Sequence, residues 1–377
     1  MSKQGQLVHR VVSEFLEGKL FRKEAAELLE VRERTVTRLA RRIEAKGMFA
    51  TVHGNRGKVP CNRKSEEKKR TVMELVAREY FDFNMTHCLE KLKENHGLEI
   101  KYGTFRKWCH EKKLVKRQKR RQAIARYRRA RMQSEGLLLQ MDGSPHRYNG
   151  KDEWCLIAAI DDATSDIPYA EFFLSEDTIN CMTVLQRIIE RKGLPYAIYV
   201  DEAGCFGGGK RAHFNQFKRA CEELGIKIIF ATSPEAKGRI ERAWDTIQDR
   251  IIPEMRLRKI RRMPAANDYL QNQFLPNYWR NENTVTAKSP EARYTPLHSS
   301  IELREVLCLK EHRTVKRNHT LSWNGTEYEL RSPLKYSIYR QKIELRTYQD
   351  LTWQAFFAGK PITLTKVADE VPLSKAS

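Results

Sequence analysis

The sequence predicts a multidomain α/β protein in which helical units precede a mixed α/β core and a β-rich end. Apolar residues recur at helical spacing through residues 5–46 and 66–113. Between residues 137 and 255, short apolar runs alternate with helix-like segments. Residues 301–366 are typical of short strands, including a hairpin across Asn324-Gly325. A small β-barrel is the simplest architecture for this last region.

The charge of the chain indicates a polyanionic partner. Its 377 residues include 70 Lys or Arg against 48 Asp or Glu, a formal charge of +22. Nucleic acid is the expected partner. A membrane is not, because no apolar run approaches the ~20 residues of a spanning helix. Since there is no signal-peptide pattern and no CxxC among the eight cysteines, we expect a soluble cytoplasmic protein with free thiols.

Changes in composition along the chain predict its domain boundaries. The Gly-, Pro- and Asn-rich stretch after residue 50 is typical of a linker. We predict a helix-turn-helix unit over residues 1–50, a linker over 51–65, a second helical DNA-binding unit over 66–114, a basic linker over 115–134, an α/β core over 135–262, a loop-like connector over 263–300, a β-rich domain over 301–367 and a tail over 368–377.

The first helical unit contains a candidate recognition helix over residues 33–47. This segment has one apolar face and one basic face. Basic and hydroxyl side chains opposite a buried stripe are what a recognition helix offers to phosphates and base edges. We therefore expect DNA contacts from Arg34, Thr37, Arg38, Arg41 and Arg42. The alternative is a small helical bundle whose basic face is only solvated.

The second helical unit ends in a similar segment, residues 102–114, whose Thr104, Arg106 and Lys107 are predicted to face outward. Plain bundle packing is the alternative. The run that follows, Lys112 to Arg131, holds eleven Lys or Arg and no acid. Such a run either contacts a polyanion or stays solvated. We expect it to lie along the DNA backbone, with contacts from Lys116, Arg117, Lys119, Arg120 and Arg121.

The core shows three strands, a helix, a strand, a helix, a strand and a helix, the order of a ribonuclease H-like fold. Two of its apolar runs, LLLQMD at residues 137–142 and AIYVD at 197–201, are closed by Asp142 and Asp201. A carboxylate at the end of a buried strand needs a cation or a partner. Together with Glu241 on the last helix, these acids are candidate ligands for divalent metal.

Paired metal ions explain why three carboxylates would converge. In two-metal phosphoryl transfer, shared carboxylates hold ions that clamp the attacking and leaving oxygens. Hard oxygen ligands suit Mg²⁺, and Mn²⁺ can take its place. We therefore expect divalent metal, Mg²⁺ or Mn²⁺, to be held by Asp142, Asp201 and Glu241.

Four stretches of the core resemble the DDE transposases of bacterial insertion sequences, in particular the ISNCY-type group and the wider retroviral-integrase superfamily. They are MDGSPH at 141–146, IAAIDDATS at 157–165, YVDEAGCF at 199–206 and SPEAKGRIERAWDTIQDRI at 233–251. The family's two aspartates fall on Asp142 and Asp201, and its glutamate falls on Glu241. The 39 residues between Asp201 and Glu241 slightly exceed the 35 of the family's commonest spacing.

The resemblance implies an enzyme with an integrase-type catalytic core. Such enzymes bind the terminal inverted repeats of their element and use two Mg²⁺ ions for cleavage by water. The freed 3′-hydroxyl then attacks target DNA. By analogy, the chain is expected to form a homo-oligomer that holds two double-stranded DNA ends in a synaptic complex.

Several other features compete for a role in the core. Asp161 and Asp162 are more typical of a turn beside the site, and Asp245 is a reserve for Glu241. Gly204 to Lys210 matches a phosphate-binding loop, but Arg211 replaces the required hydroxyl, so no nucleotide cofactor is expected. His87-Cys88 and Cys109-His110 lack zinc-ligand spacing. DNA-backbone contacts or simple charge balance would explain Lys237, Arg239 and Arg242.

Two other functions remain open on the same scaffold. One is a catalytically silent DNA-binding regulator, although such a protein would not need all three acids. The other is a structure-specific nuclease, which would not need two DNA-reading helical units.

Overall fold

A computed structural model describes residues 3–51, 65–115, 129–200, 211–230, 238–331 and 337–367. The chain divides into two compact units, Met1–Thr71 and Val72–Ser377. Within the described ranges, no helix is both long enough and apolar enough to cross a membrane.

The first unit is built from three helices at the predicted positions. They are α1 (Lys3–Leu16), α2 (Arg22–Leu28) and α3 (Glu33–Lys46), followed by a 3₁₀ turn over Gly47–Thr51. Ala25 of the short helix α2 is fully buried, as are Val12 of α1 and Val36 of α3. The small side chain at Ala25 lets three short helices share one apolar core.

Three further helices follow, again where helical periodicity predicted them, and the boundary between the two units falls within the first of them. They are α4 (Glu66–Arg78), α5 (Met85–His96) and α6 (Tyr102–Glu111). Asn84 caps α5 by accepting a hydrogen bond from the His87 amide at 2.9 Å. Gly97 ends the same helix in the left-handed conformation, with φ of 63°. Phe105 and Trp108 of α6 are buried against α4 and α5.

The core contains a five-stranded mixed sheet in the order β3-β2-β1-β4-β5. The strands are β1 (Leu139–His146), β2 (Trp154–Asp161), β3 (Tyr169–Phe173), β4 (Ala197–Val200) and β5 (Lys227–Phe230). β1, β2 and β3 are antiparallel neighbours, whereas β4 and β5 run parallel to β1. With the helices α7 (Thr178–Lys192), α8 (Arg211–Glu223) and α9 (Gly238–Leu257), the predicted order of elements is confirmed.

Helices cover both faces of this sheet. Met141 and Ile157 pack toward α7 and α8, in a cluster with Leu185. Leu156 and Ile160 face the other way and pack in a cluster with side chains of α9. β2 is therefore buried along its whole length, which explains its almost uninterrupted apolar sequence.

The expectation of a loop-like connector is wrong for residues 263–282. This stretch forms α10 (Met263–Tyr269), a π-helical segment over Leu270–Trp279 and the short α11 (Arg280–Glu282). Pro264, which suggested a loop, lies in the first turn of α10, where a proline costs no hydrogen bond. Asn267 then pairs with the backbone of Phe172 on the edge strand β3. Burial of apolar side chains against the sheet outweighs the Pro, Asn and Tyr content.

The last region is a six-stranded antiparallel sheet in the order β6-β9-β10-β11-β8-β7, which curls into a nearly closed barrel. After a short helix α12 (Leu303–Val306), its strands are β6 (Leu309–Thr314), β7 (Thr320–Trp323), β8 (Thr326–Arg331), β9 (Lys342–Thr347), β10 (Trp353–Phe357) and β11 (Lys360–Lys366). The predicted hairpin is confirmed, with φ of 46° at Asn324 and 74° at Gly325.

Helix α9 also binds α5 through a buried ionic cluster. Glu254 accepts from His87 Nε2 at 2.8 Å and lies 2.9 Å from Lys91 Nζ. Burial raises the pKa of the Glu254 carboxyl, but the hydrogen bonds from His87 and Lys91 outweigh it and bring that pKa to about 2. Arg250 adds a second ion pair, to Glu90. The second helical unit is thereby fixed to the helix that carries Glu241.

Replacing Glu254 by Gln should loosen α5 from α9 and cost about 3 kcal/mol, because His87 and Lys91 lose a buried carboxylate partner. The folded pKa lies below the ordinary 4.5, so the carboxylate's contribution is complete above that pH and is lost as pH falls toward 2. Below pH 4.5, the free energy of unfolding should therefore depend less on pH in the variant than in the wild type.

Amide hydrogen exchange in α5 measures this effect, with Glu94→Gln as control. Glu94 pairs with the same Lys91 at 2.8 Å, but it is exposed. Its loss should cost less than ~1 kcal/mol. Equal effects of the two substitutions would contradict a special role for the buried cluster.

Candidate active site

One face of β1 carries three polar side chains in a row: Gln140, Asp142 and Ser144, called the polar row below. Successive strand residues point to opposite faces, and Leu139 and Met141 lie in the cluster on the α7 side. Gln140 and Ser144 are buried, whereas Asp142 is half-buried. A carboxylate in the middle of a five-stranded sheet thus keeps some access to solvent.

The expectation that Asp142 closes its strand is wrong. β1 continues to His146, and Asp142 pairs with Ala158 of β2. The reason is the partner strand, because β2 offers eight consecutive ladder positions to β1. Residues before and after Asp142 are paired with β2, and this pairing holds the Asp142 backbone in the sheet.

Helix α9 lies over the polar row and contacts it through two side-chain hydrogen bonds. Trp244 Nε1 donates to Asp142 Oδ2 at 3.1 Å. About one turn later, Gln248 Nε2 donates to Ser144 Oγ at 2.9 Å. Tyr148 Oη also donates to Ser144 Oγ at 2.9 Å. These contacts fix the position of α9 along the strand.

Glu241 lies on the flank of α9 that contacts the polar row. It is three residues before Trp244 and seven before Gln248. At about 100° per residue, it is roughly 60° from Trp244 and roughly 20° from Gln248 around the helix axis. Glu241 is exposed. Its side chain is therefore on the side of the helix nearest to Asp142 and open to solvent.

Asp245 is turned further from the polar row. It is roughly 100° from Trp244 and roughly 60° from Gln248 around the same axis. Asp245 lines a surface cleft together with Asn84 and Tyr102, on the side where α5 and α6 pack. The placement therefore favours Glu241 over Asp245 as the partner of Asp142.

Asp201 lies outside the described residues, directly after β4. Within the described residues, no group of three His, Cys, Asp or Glu side chains could hold a metal ion. Cys88 and Cys109 are buried free thiols, and burial raises their pKa to about 12 and about 11.

A fully buried acid, Asp162, lies beside the polar row and has structural partners. Asp162 is fully buried and forms ion pairs with Arg129 and, at 2.6 Å, with Arg239. It also accepts from Gln140 Nε2 at 2.8 Å and from the Met132 amide at 2.9 Å. Asp162 therefore anchors one end of the polar row, and Arg239 balances its charge.

Asp161 shapes the turn after β2, as the sequence predicted. Its Oδ1 accepts from the amides of Ala163 and Thr164 and from the Thr164 hydroxyl, at 2.8–3.0 Å. Its Oδ2 accepts from the Gly136 amide at 2.8 Å. These four bonds satisfy a carboxylate that is fully buried.

The candidate recognition helix α3 has the predicted amphipathic form. Its exposed face includes Arg34, Arg38, Arg41 and Arg42, opposite the buried Val36, Ala40 and Ile43. Thr37 is half-buried, and its hydroxyl donates to the Glu33 carbonyl at 3.3 Å. The four arginines are thus accessible to a phosphate backbone, and their contact with DNA stays a prediction.

The other predicted DNA contacts have mixed placements. On α6, Arg106 and Lys107 are exposed and Thr104 is half-buried. Arg242 on α9 is exposed, and its Nε donates to the Gly238 carbonyl at 2.7 Å. Lys116, Arg117, Lys119, Arg120, Arg121 and Lys237, and the loop from Gly204 to Lys210, lie outside the described residues.

The chain has relatives among curated proteins, although no protein-family model matches it. A putative transposase of Sinorhizobium fredii, y4bF, is 34% identical over 325 residues, which cover 83% of this chain and 70% of the relative. The chain belongs to the insertion-sequence transposases. The transposase for insertion sequence IS1202 of Streptococcus pneumoniae is 29% identical over 301 residues, covering 69% of this transposase and 64% of the relative.

Solved integrase structures resemble the transposase more remotely. The HTLV-2 integrase catalytic core in complex with magnesium is 18% identical and covers 36% of this chain and 82% of its own, with a TM-score of 0.30. A simian T-cell lymphotropic virus intasome covers 79% of this chain and 99% of its own, at 15% identity and a TM-score of 0.35. These scores are low, and the family assignment rests on the sequence similarity.

Sequence reasoning missed the neighbours of Asp142 in this transposase. Trp244 and Gln248 follow Glu241 at i+3 and i+7, and Ser144 follows Asp142 at i+2. Helical and strand periodicity, applied outward from the two acids, would have selected these positions. Only the packing of α9 on β1 shows which of them meet.

Asp162→Asn should destabilise the core by about 3 kcal/mol, because Arg129 and Arg239 would lose the negative charge between them. Chemical denaturation measures the change. Glu190→Gln is the control, since it removes an exposed helical pair with Arg187 that contributes at most about 0.5 kcal/mol. A loss for Asp162→Asn as small as the control's would contradict the anchoring role.

Proposed function

We propose that this transposase cleaves DNA at the ends of its element and joins the freed strands to target DNA. Asp142, Asp201 and Glu241 carry the reaction. The main support for this proposal is the packing of α9 on the polar row. Trp244 binds Asp142 from the same flank of the helix that presents Glu241. Two carboxylates, one from a strand and one from a helix, then face one solvent-accessible region.

The register of the central strands supports Asp201 as the third carboxylate. β4 is parallel to β1, and Gln140 pairs with Tyr199. Asp142 follows Gln140 by two residues, as Asp201 follows Tyr199. Equal sequence steps from a paired position, in strands of the same direction, favour the same edge and face of the sheet.

The donor set fits Mg²⁺, with Mn²⁺ as a substitute. The candidate ligands are carboxylate oxygens, and Asp142 and Glu241 both have access to solvent. Two bound ions would make water or a 3′-hydroxyl a stronger nucleophile and stabilise charge on the phosphate. Trp244 donates a hydrogen bond to the Asp142 carboxylate, and the exposed Arg242 places positive charge beside Glu241, where a DNA phosphate would lie.

DNA recognition is assigned to the two helical units. The exposed arginines of α3, with Thr37, and the outer face of α6 would read or clamp the terminal inverted repeats. The basic run that follows α6 would track the DNA backbone. Because α5 is fixed to α9 by the Glu254 cluster, DNA held by α6 would have a defined position relative to α9, the helix that carries Glu241. By analogy with synaptic complexes, pairing of two ends would involve at least a dimer.

Asp142→Asn, Asp201→Asn and Glu241→Gln should each reduce cleavage and joining by ~10²-fold or more, as expected on removing a preorganised charged group. Specific DNA binding should stay nearly unchanged. A strand-transfer assay with labelled terminal DNA, a plasmid target and Mg²⁺ measures both steps. Asp245→Asn is the matched control and should remain active.

The same assay separates the competing assignments. Normal transfer by Glu241→Gln together with inactive Asp245→Asn would move the third ligand to Asp245. Cut DNA without joined products would indicate a nuclease. Absence of both products from the wild-type chain with its own element's ends would favour a silent DNA-binding regulator.

Arg38→Ala combined with Arg41→Ala should weaken binding of terminal-repeat DNA by ~10-fold and lower the salt dependence of binding, since two phosphate contacts are lost. Fluorescence anisotropy at fixed salt measures this. Arg10→Ala, at an exposed arginine of α1 that lies 3.4 Å from Glu14, is the control. Unchanged affinity of the double variant would exclude α3 as the reader.

A further inference from the structure

Trp244 differs from an ordinary core tryptophan in the partner of its indole. Its ring is only 8% exposed and packs in the cluster that includes Ile160 and Ile247. Its Nε1 donates at 3.1 Å to a carboxylate oxygen of Asp142. The indole N–H is a donor only, so the direction of this bond is fixed. A phenyl ring would fill much of the same space but could not make the bond.

The hydrogen bond restricts how the Asp142 carboxylate can rotate. Asp142 is half-buried in β1, and its backbone is held by pairing with β2. The backbone thus fixes where the side chain starts, while the indole limits the orientation of its oxygens. Carboxylate ligands need such support, because hydrogen-bonded neighbours set their orientation toward the ion.

The same indole sets the spacing between two candidate ligands. Glu241 precedes Trp244 by one turn of α9, so a bond from Trp244 to Asp142 holds that turn against β1. The bond from Gln248 to Ser144 holds the next turn. Two bonds about one turn apart oppose sliding or rolling of α9 on the strand, motions that would change the Asp142–Glu241 separation.

We propose that Trp244 is a positioning residue, which orients the Asp142 carboxylate and sets its distance from Glu241 for binding of divalent metal. The proposal rests on the proposed function above. Trp244 acts through Asp142 and contacts no substrate. Its loss therefore weakens metal binding first, and the reaction is impaired because the ions are held less well.

Trp244→Phe should raise the Kd for Mn²⁺ by ~10-fold or more, the loss typical when a neighbour of a metal ligand is removed. Free Mn²⁺ is measured by electron paramagnetic resonance while Mn²⁺ alone is added to the full chain. In strand transfer, the Mg²⁺ concentration for half-maximal activity should rise by a similar factor, and excess Mg²⁺ should restore most of the rate.

Trp279→Phe is the matched control. Trp279 lies in the same buried cluster, and its Nε1 donates to the Ser165 carbonyl at 2.9 Å. The chemical change is identical, but the lost partner is a backbone oxygen outside the polar row. This variant should lose stability in thermal melts and keep the wild-type Mn²⁺ affinity and Mg²⁺ dependence.

The outcomes separate this proposal from the function on which it rests. If Asp142→Asn binds Mn²⁺ as the wild type does, the metal site itself is misassigned. If Asp142→Asn loses Mn²⁺ while Trp244→Phe binds it normally, the positioning role is overturned and the site stands. Equal weakening of Mn²⁺ binding by Trp244→Phe and Trp279→Phe would also overturn it, since the effect would be general.

A measurement that needs no Trp244 variant covers the case in which Trp244→Phe fails to fold. Labelling with ¹⁵N-tryptophan gives one indole signal for each of the six tryptophans. Asp142→Asn should move one signal, which identifies Trp244, and Mg²⁺ should move the same signal in the wild type. A Trp244 signal that does not respond to Mg²⁺ would contradict the proposal.

Discussion

The packing of α9 on the central strand β1 is the contact on which the rest of the structure depends. Apolar side chains of α9 fill the core beneath the sheet, and polar ones contact the polar row along one flank. A carboxylate within a sheet, or buried directly beside it, must be either neutralised or given access to solvent. Asp162, paired with two arginines, follows the first course, and Asp142, at the edge of α9, follows the second.

The same helix connects the core to the second helical unit. Glu254, Arg250 and Arg256 of α9 pair with acids or bases of α5 and of the turn before it. A transposase must hold its bound DNA within a few ångströms of the correct position relative to the catalytic residues, because a displaced phosphate does not react. Under the proposed function, a single twenty-residue helix that contacts both regions would provide that registration without a separate linker.

Much of this architecture was predictable from local patterns. Periodicity identified all three helices of the first unit, and the Asn324-Gly325 turn predicted its hairpin. The helices over 263–282 were missed, because their stability comes from burial against the sheet and not from their composition. For the site, the sequence predicted the three acids but not the side chains that hold them in place. The contacts of Trp244 and Gln248 with β1 could not be predicted, because they depend on how α9 packs along β1, which is set by tertiary structure.

The central claim is that Asp142, Asp201 and Glu241 hold divalent metal together. Anomalous scattering from Mn²⁺, in crystals of the full chain with DNA of its element's end, tests this most directly. The account predicts Mn²⁺ peaks within coordination distance of all three carboxylates, roughly 2.0–2.2 Å, with Trp244 still bonded to Asp142. Peaks held by Asp245 in place of Glu241, or away from Asp142, would contradict it.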